Sequence, residues 1–167
     1  GGALTGTRLP LQRFLPRRQG HIVNLASSAG QIATAGGATY AATKHGVVGF
    51  TRAIRAEIRG TGVRTTIVLP GLIRTDMIAG FAKARGTRVI GPDKVAAGIV
   101  AALRTGREEV FVPRELGPVA RLVAGTPPAI ADRIKAVLRA DRVMVDADMG
   151  ARASYRGRMD ATVRADR

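Results

Sequence analysis

The 167 residues contain no cysteine and no tryptophan, only two histidines, and 4% aromatic residues. Without cysteine there is no disulfide frame, no thiolate nucleophile and no thiolate-bound zinc. His21 and His45 are too few for a histidine-rich metal cluster, so no metal is expected. The formal net charge is +15, which invites a nucleic-acid partner. Nucleic-acid modules, however, gather their cations and interleave them with aromatic rings. Here residues 1–70 hold nine Lys/Arg and a single acid, Glu57, while residues 71–167 hold eighteen and eleven. The surplus is spread along the chain and rings are scarce, so no nucleic-acid partner is expected. There is no apolar run of eighteen residues to cross a membrane and no signal-peptide pattern. The expectation is a cytoplasmic protein without a membrane partner. What the chain does have is 46% hydrophobic residues, ample for the core of one ordinary domain.

Short apolar, β-branched runs alternate with longer helical patterns, the signature of an α/β protein with a parallel sheet. A helix is expected from Ala3 to about Arg18, with one proline near its first turns and Pro16 near its end. His21–Ala26 reads as a buried strand, Ser27–Ala38 as a Gly/Ala-rich loop, and Thr39 to about Arg59 as a long helix closed by Gly60-Thr-Gly62. Val63–Leu69 is a second strand, stopped by Pro70-Gly71. A loop to Gly91 follows, with a short helix at Thr75–Ala84. Pro92-Asp93 starts a helix ended by Gly106, and Glu109–Val112 is a third strand stopped by Pro113. Leu116–Ala124 and Pro128–Arg139 read as helices around Gly125-Thr-Pro-Pro, and 141–167 as a charged tail.

Two features carry chemistry. Tyr40-Ala-Ala-Thr-Lys44 places a phenol and an ammonium one helical turn apart on the same face. A neighbouring ammonium favours a phenolate, and so makes a phenol a more useful acid/base. Ser27 stands thirteen residues before Tyr40, at the C-terminal end of a strand, where open α/β sheets bind their ligands. A lone Tyr-x-x-x-Lys is a common accident of helix surfaces. The strand, the serine at fixed spacing and the Pro70-Gly71-Leu-Ile-Arg-Thr75 turn make this one specific.

Together these residues resemble the classical type of the short-chain dehydrogenase/reductase family. The likeness is dense from about Gly2 to Thr75 and looser to about Pro113. It implies the C-terminal part of a Rossmann-like doubly wound parallel sheet, of about three strands with flanking helices, plus a helical C-terminal extension. Residues 1–113 would be the catalytic half, 114–140 the extension and 141–167 the tail. The resemblance implies an oxidoreductase that exchanges a hydride between NAD or NADP and a secondary alcohol or carbonyl. Tyr40 would be the acid/base, Lys44 would tune it and bind the nicotinamide ribose, and Ser27 would orient the substrate oxygen. Ser28 is adjacent but at the wrong spacing. Pro70, Gly71, Ile73 and Thr75 would cradle the nicotinamide, although Pro70-Gly71 in isolation is also an ordinary strand-ending turn. Met77, Ile78 and Phe81 would cover an apolar alcohol or ketone, or simply bury a short helix.

The resemblance also marks an absence. Family members hold the cofactor pyrophosphate on a Gly-rich turn at a helix N-terminus, and the chain contains no G-x-G-x-x-G. The expectation is therefore a fragment that lacks its cofactor-binding half, is inactive alone and is poorly soluble. In it the His21–Ala26 strand would have an unpaired edge. Asn24 is not the family's catalytic asparagine, since it lies inside the strand, where a structural role is expected. The Thr39–Arg59 helix is apolar on more than one face, with small residues at Ala41, Ala42, Gly46 and Gly49, which suggests a homo-oligomer when intact. Two other classes compete: a catalytically inactive fragment, and a basic binding module on the same scaffold.

Overall fold

The computed structural model describes residues 2–74, 88–140 and 145. Its elements run α1 (Gly2–Arg17), β1 (Gly20–Leu25), a 3-10 turn (Ser28–Gly30), α2 (Ala38–Glu57) and β2 (Val63–Pro70). They continue through α3 (Pro92–Thr105), β3 (Glu109–Val112), α4 (Leu116–Ala124) and α5 (Pro128–Val137). The strands form one parallel sheet in the order β1-β2-β3. Ile22 is paired with Thr65, and Val68 with Val110. Within the described residues the expected strands and helices are present, with ends shifted by up to two residues. The expected Thr75–Ala84 helix and most of the 141–167 tail lie outside the described residues.

β2 is the central strand and is buried throughout except at Arg64, because helices cover both of its faces. Ile67 and Leu69 point to one side, packing with Ala26, Val48 of α2, Phe111 and Ala120 of α4. Val68 points to the other, where Val95 of α3, Ile90 and Val112 close a second cluster. The alternation follows directly from the period of two along a strand. Ala120 is fully buried in the first cluster, so α4 completes the same core as the sheet.

α1 and α2 are fastened to β1 by a buried polar chain. The Asn24 amide donates to Thr51 Oγ1 at 2.9 Å, and Thr51 donates in turn to the Val47 carbonyl at 2.7 Å. Because the Thr51 proton is committed, its oxygen accepts, which fixes the Asn24 amide orientation. Thr7 of α1, fully buried, closes the chain at 3.3–3.4 Å from the Asn24 side chain. Asn24 therefore has the structural role its place in the strand implied.

Pro10 departs from expectation. It sits in the middle of α1 and not near its first turns. Proline removes the hydrogen bond to the carbonyl four residues back. That carbonyl belongs to Gly6, which is exposed, so water can satisfy it at little cost. Pro16 leaves the exposed Gln12 in the same position. Among the described residues, β1 is paired along one edge only, and Leu25 remains 50% exposed on the α3 side of the sheet.

Candidate active site

Three segments meet at the C-terminal ends of β1 and β2. β1 ends at Leu25, and Ala26 still bonds through its N–H to the Val68 carbonyl at 2.9 Å, holding the next residue, Ser27, beside the end of β2. Ser27 is 7% exposed, and its hydroxyl accepts from the Ala29 N–H at 3.2 Å and donates to the Pro70 carbonyl at 3.4 Å. The first contact caps the 3-10 turn. The second is long for a hydroxyl donor, so it is easily exchanged for another acceptor. Ser28 lies within the turn itself, its carbonyl taking the N–H groups of Gln31 and Ile32.

That turn packs against α2 because Gly30 carries no side chain. A Cβ there would lie 2.8 Å from the Lys44 carbonyl and 2.9 Å from Val48 Cγ2. The close approach sets the height of α2 against the serine loop. Tyr40 and Lys44, both half-buried, occupy its first turns. The Lys44 ammonium sits 5.6 Å from the centre of the Tyr40 ring and 3.5 Å from the Leu25 carbonyl. Burial holds the Lys44 ammonium below the usual lysine range. Lys44 is thus tied to the end of β1 through Leu25, with Tyr40 beside it, and Ser27 to the adjacent end of β2 through Pro70.

Pro70 is the last residue of β2, and the Gly71 N–H donates to the Val112 carbonyl at 2.8 Å, carrying the turn across to β3. A Cβ on Gly71 would meet Leu116 Cδ1 at 2.7 Å, so glycine lets this leucine of α4 lie against the turn without shifting. Ile73 forms a parallel bridge with Ile90, made by Arg74 N–H to the Ile90 carbonyl at 2.7 Å and Ile90 N–H to the Leu72 carbonyl at 2.9 Å. This bridge ties together the described residues on either side of the segment that carries Thr75, Met77, Ile78 and Phe81. Those four residues lie outside the described residues.

Three participants were not legible as site residues. Gly30 could have been read from Ser27-Ser-Ala-Gly30, a glycine where loop and helix must touch. The Leu25 carbonyl is backbone and leaves no sequence signal. Lys135 of α5 reaches the Ala33 carbonyl of the serine loop at 3.4 Å, 102 residues away in sequence, and pairs with Asp132 at 2.7 Å. No local pattern announces so distant a contact. Among the described residues no group of His, Asp or Glu could hold a metal ion, and no helix is long and apolar enough to cross a membrane.

Comparison with known proteins fits this geometry. The family profile described as short chain dehydrogenase matches residues 1–86. Over 100 residues the chain is 38% identical to 1-deoxy-11-beta-hydroxypentalenate dehydrogenase of Streptomyces exfoliatus, covering 57% of this chain and 36% of that protein. It is 34% identical over 113 residues to the ketoacyl reductase HetN of Nostoc, covering 66% and 39%. In three dimensions it matches a short chain dehydrogenase from Burkholderia cenocepacia J2315 in complex with NADP, with TM-score 0.64 and 27% identity. That match covers 79% of this chain and 55% of the other. The chain belongs to the short-chain dehydrogenase family of oxidoreductases, and its three parallel strands are part of that family's Rossmann-like sheet. It spans less than two-fifths of the length of these two curated relatives.

Proposed function

We propose that the whole protein is an NAD(P)-dependent oxidoreductase that interconverts a secondary alcohol and a carbonyl, with Tyr40 as its acid/base. The observation that carries this reading is that Lys44 bonds at the end of β1 and Ser27 at the adjacent end of β2, with Tyr40 beside the Lys44 ammonium. In the direction of reduction, the Tyr40 hydroxyl gives its proton to the substrate oxygen as the carbonyl carbon gains a hydride. In oxidation, the phenolate takes the proton back. The Lys44 ammonium, 5.6 Å from the centre of the ring, places a positive charge beside the phenol. Ser27 releases its long contact with Pro70 and donates to the substrate oxygen, fixing which face of the carbonyl is presented.

The residues present suit the nicotinamide end of the cofactor, which would supply or accept the hydride. An ammonium has three donors, and the hydrogen bond that Lys44 makes among the described residues is long, at 3.5 Å. It therefore retains capacity for ribose hydroxyls. The Pro70-Gly71 turn, kept slim by glycine, and the stem at Ile73 would flank the nicotinamide, with Thr75 completing the cradle. Met77, Ile78 and Phe81 would meet an apolar alcohol or ketone. The proposal extends to a homo-oligomer paired through the exposed small-residue side of α2. Gly46 and Gly49 have open space beside them and Ala42 is exposed.

The test is cofactor-linked absorbance with secondary alcohols and their ketones, using NAD and NADP in parallel. Tyr40→Phe should lower turnover roughly 10²- to 10⁴-fold, the usual worth of a positioned proton-transfer group, while leaving the unfolding midpoint nearly unchanged. A Tyr40→Phe protein with undiminished turnover would refute the assignment. Absence of turnover with either cofactor would favour the inactive reading.

A further inference from the structure

A cleft of about 410 Å³ lies at the opposite end of the sheet from Ser27. Its lining includes Arg52, Arg55 and Arg59 from the C-terminal half of α2, Arg64 at the start of β2, and Glu108 just before β3. Four guanidinium groups around one cleft repel one another unless anions stand between them. Part of that role is filled internally. Arg52 pairs with Glu109 at 2.8 Å, and Arg55 spans Glu108 at 3.2 Å, the Glu108 carbonyl at 2.8 Å and Thr65 Oγ1 at 3.3 Å.

Arg59 and Arg64 are left over. Both are exposed, and neither guanidinium makes a hydrogen bond or ion pair among the described residues. Arg59 follows the Ile58 cap of α2, where a cation offsets the helix dipole, yet its guanidinium bonds to no carbonyl there. Arg64 lies across Gly106, whose missing side chain makes room for it. A Cβ at Gly106 would stand 2.8 Å from Arg64 Nη1, at a φ of 69° that itself favours glycine. The two carboxylates thus hold Arg52 and Arg55 in place as walls, and two unpaired, fork-shaped donors face a cleft of ligand size.

We propose that this cleft binds a multiply charged phosphate anion, held by Arg59 and Arg64. The site is independent of the hydride-transfer chemistry at the other end of the strands, so its test needs no activity. Pyrophosphate titrated into the protein at low ionic strength, followed by calorimetry and by the unfolding midpoint, should bind saturably with one anion per chain. It should weaken as salt rises to about 0.15 M. Arg59→Gln and Arg64→Gln should each weaken binding about tenfold, the usual worth of a charge-assisted hydrogen bond. Arg133→Gln, which removes an equally exposed charge on α5, should leave affinity unchanged. Glu108→Gln should tighten it, because it removes the carboxylate nearest the anion. Equal weakening in all three arginine variants would assign the effect to the net charge of +15 and overturn the proposal. Unsaturable binding would do the same, as would binding of polyglutamate without binding of pyrophosphate.

Discussion

Replacing Asn24 with alanine should destabilise the protein by about 2–4 kcal/mol. The side chain is 9% exposed and touches both helices that cover its face of the sheet. Alanine removes the 2.9 Å bond to Thr51, worth about 1 kcal/mol net. It also removes the weaker 3.3–3.4 Å link to Thr7. The larger cost lies in what remains. Thr51 keeps its bond to the Val47 carbonyl, but the Thr7 hydroxyl, with no exposed surface, loses its partner. An orphaned buried hydroxyl costs about 1–3 kcal/mol, giving a total of about 2–4 kcal/mol. Thr7→Val, which removes the hydroxyl and keeps the volume, should cost only about 1 kcal/mol. Asn24→Ala placed on a Thr7→Val background should then cost less than on the native one, because no hydroxyl is stranded. Urea unfolding of the two single variants and the double variant, read as a double-mutant cycle, gives the coupling directly. A loss below 0.5 kcal/mol for Asn24→Ala, or strict additivity in the cycle, would show that the polar chain does not hold α1 and α2 to the sheet.

Gly30→Ala should cost about 1–3 kcal/mol by overpacking, since its Cβ would press on the Lys44 carbonyl and Val48; urea unfolding reads the loss, and turnover should fall with it as α2 moves. His21 supplies a pH dependence. Thr66 Oγ1 donates to the Arg107 carbonyl at 2.6 Å and so accepts from His21 Nε2 at 2.7 Å, leaving the buried Nδ1 without a partner in the neutral ring. Burial first, then the charge of Arg64, hold this imidazole below its ordinary value. The unfolded chain therefore binds the proton more readily, and stability should fall as pH drops below about 6.5 and through the lowered folded value. Unfolding midpoints between pH 8 and pH 5 should show that slope, and His21→Gln should flatten it.

The elements were legible because each local signal agreed with the global pattern. Pro92-Asp93 and Gly106 bound α3 as read, and Pro113 ends β3 where proline must. Pro10 was misplaced because a proline normally breaks a helix. Its tolerance depends on Gly6 facing water, which is a property of the packed molecule and not of the segment. Ser27, Tyr40 and Lys44 stand out as candidates in the sequence because helical spacing and strand-end position are local. The contacts that bring them together are not. Leu25, Pro70 and Val112 contribute backbone carbonyls, the same group in every residue, and only the strand register decides which carbonyl is offered.

That dependence on register has a consequence for how such a site is held. Lys44 is tied to the carbonyl of Leu25, Ser27 to that of Pro70, and Gly71 to that of Val112. Each tie crosses from one element to the next at the same end of the sheet. None depends on a partner side chain that a substitution could remove. Slipping one strand by a single residue would present a different carbonyl and turn its core-facing side chains to the other face. The buried residues Ile67, Val68 and Leu69 forbid that slip, because they fill two opposite clusters in strict alternation. The apolar pattern of β2 therefore fixes the positions of the polar groups at its end. If Tyr40 is the acid/base proposed above, its chemistry depends on core residues that never touch it, and mutations in β2 should impair the turnover of the whole protein in proportion to lost packing before they unfold the chain.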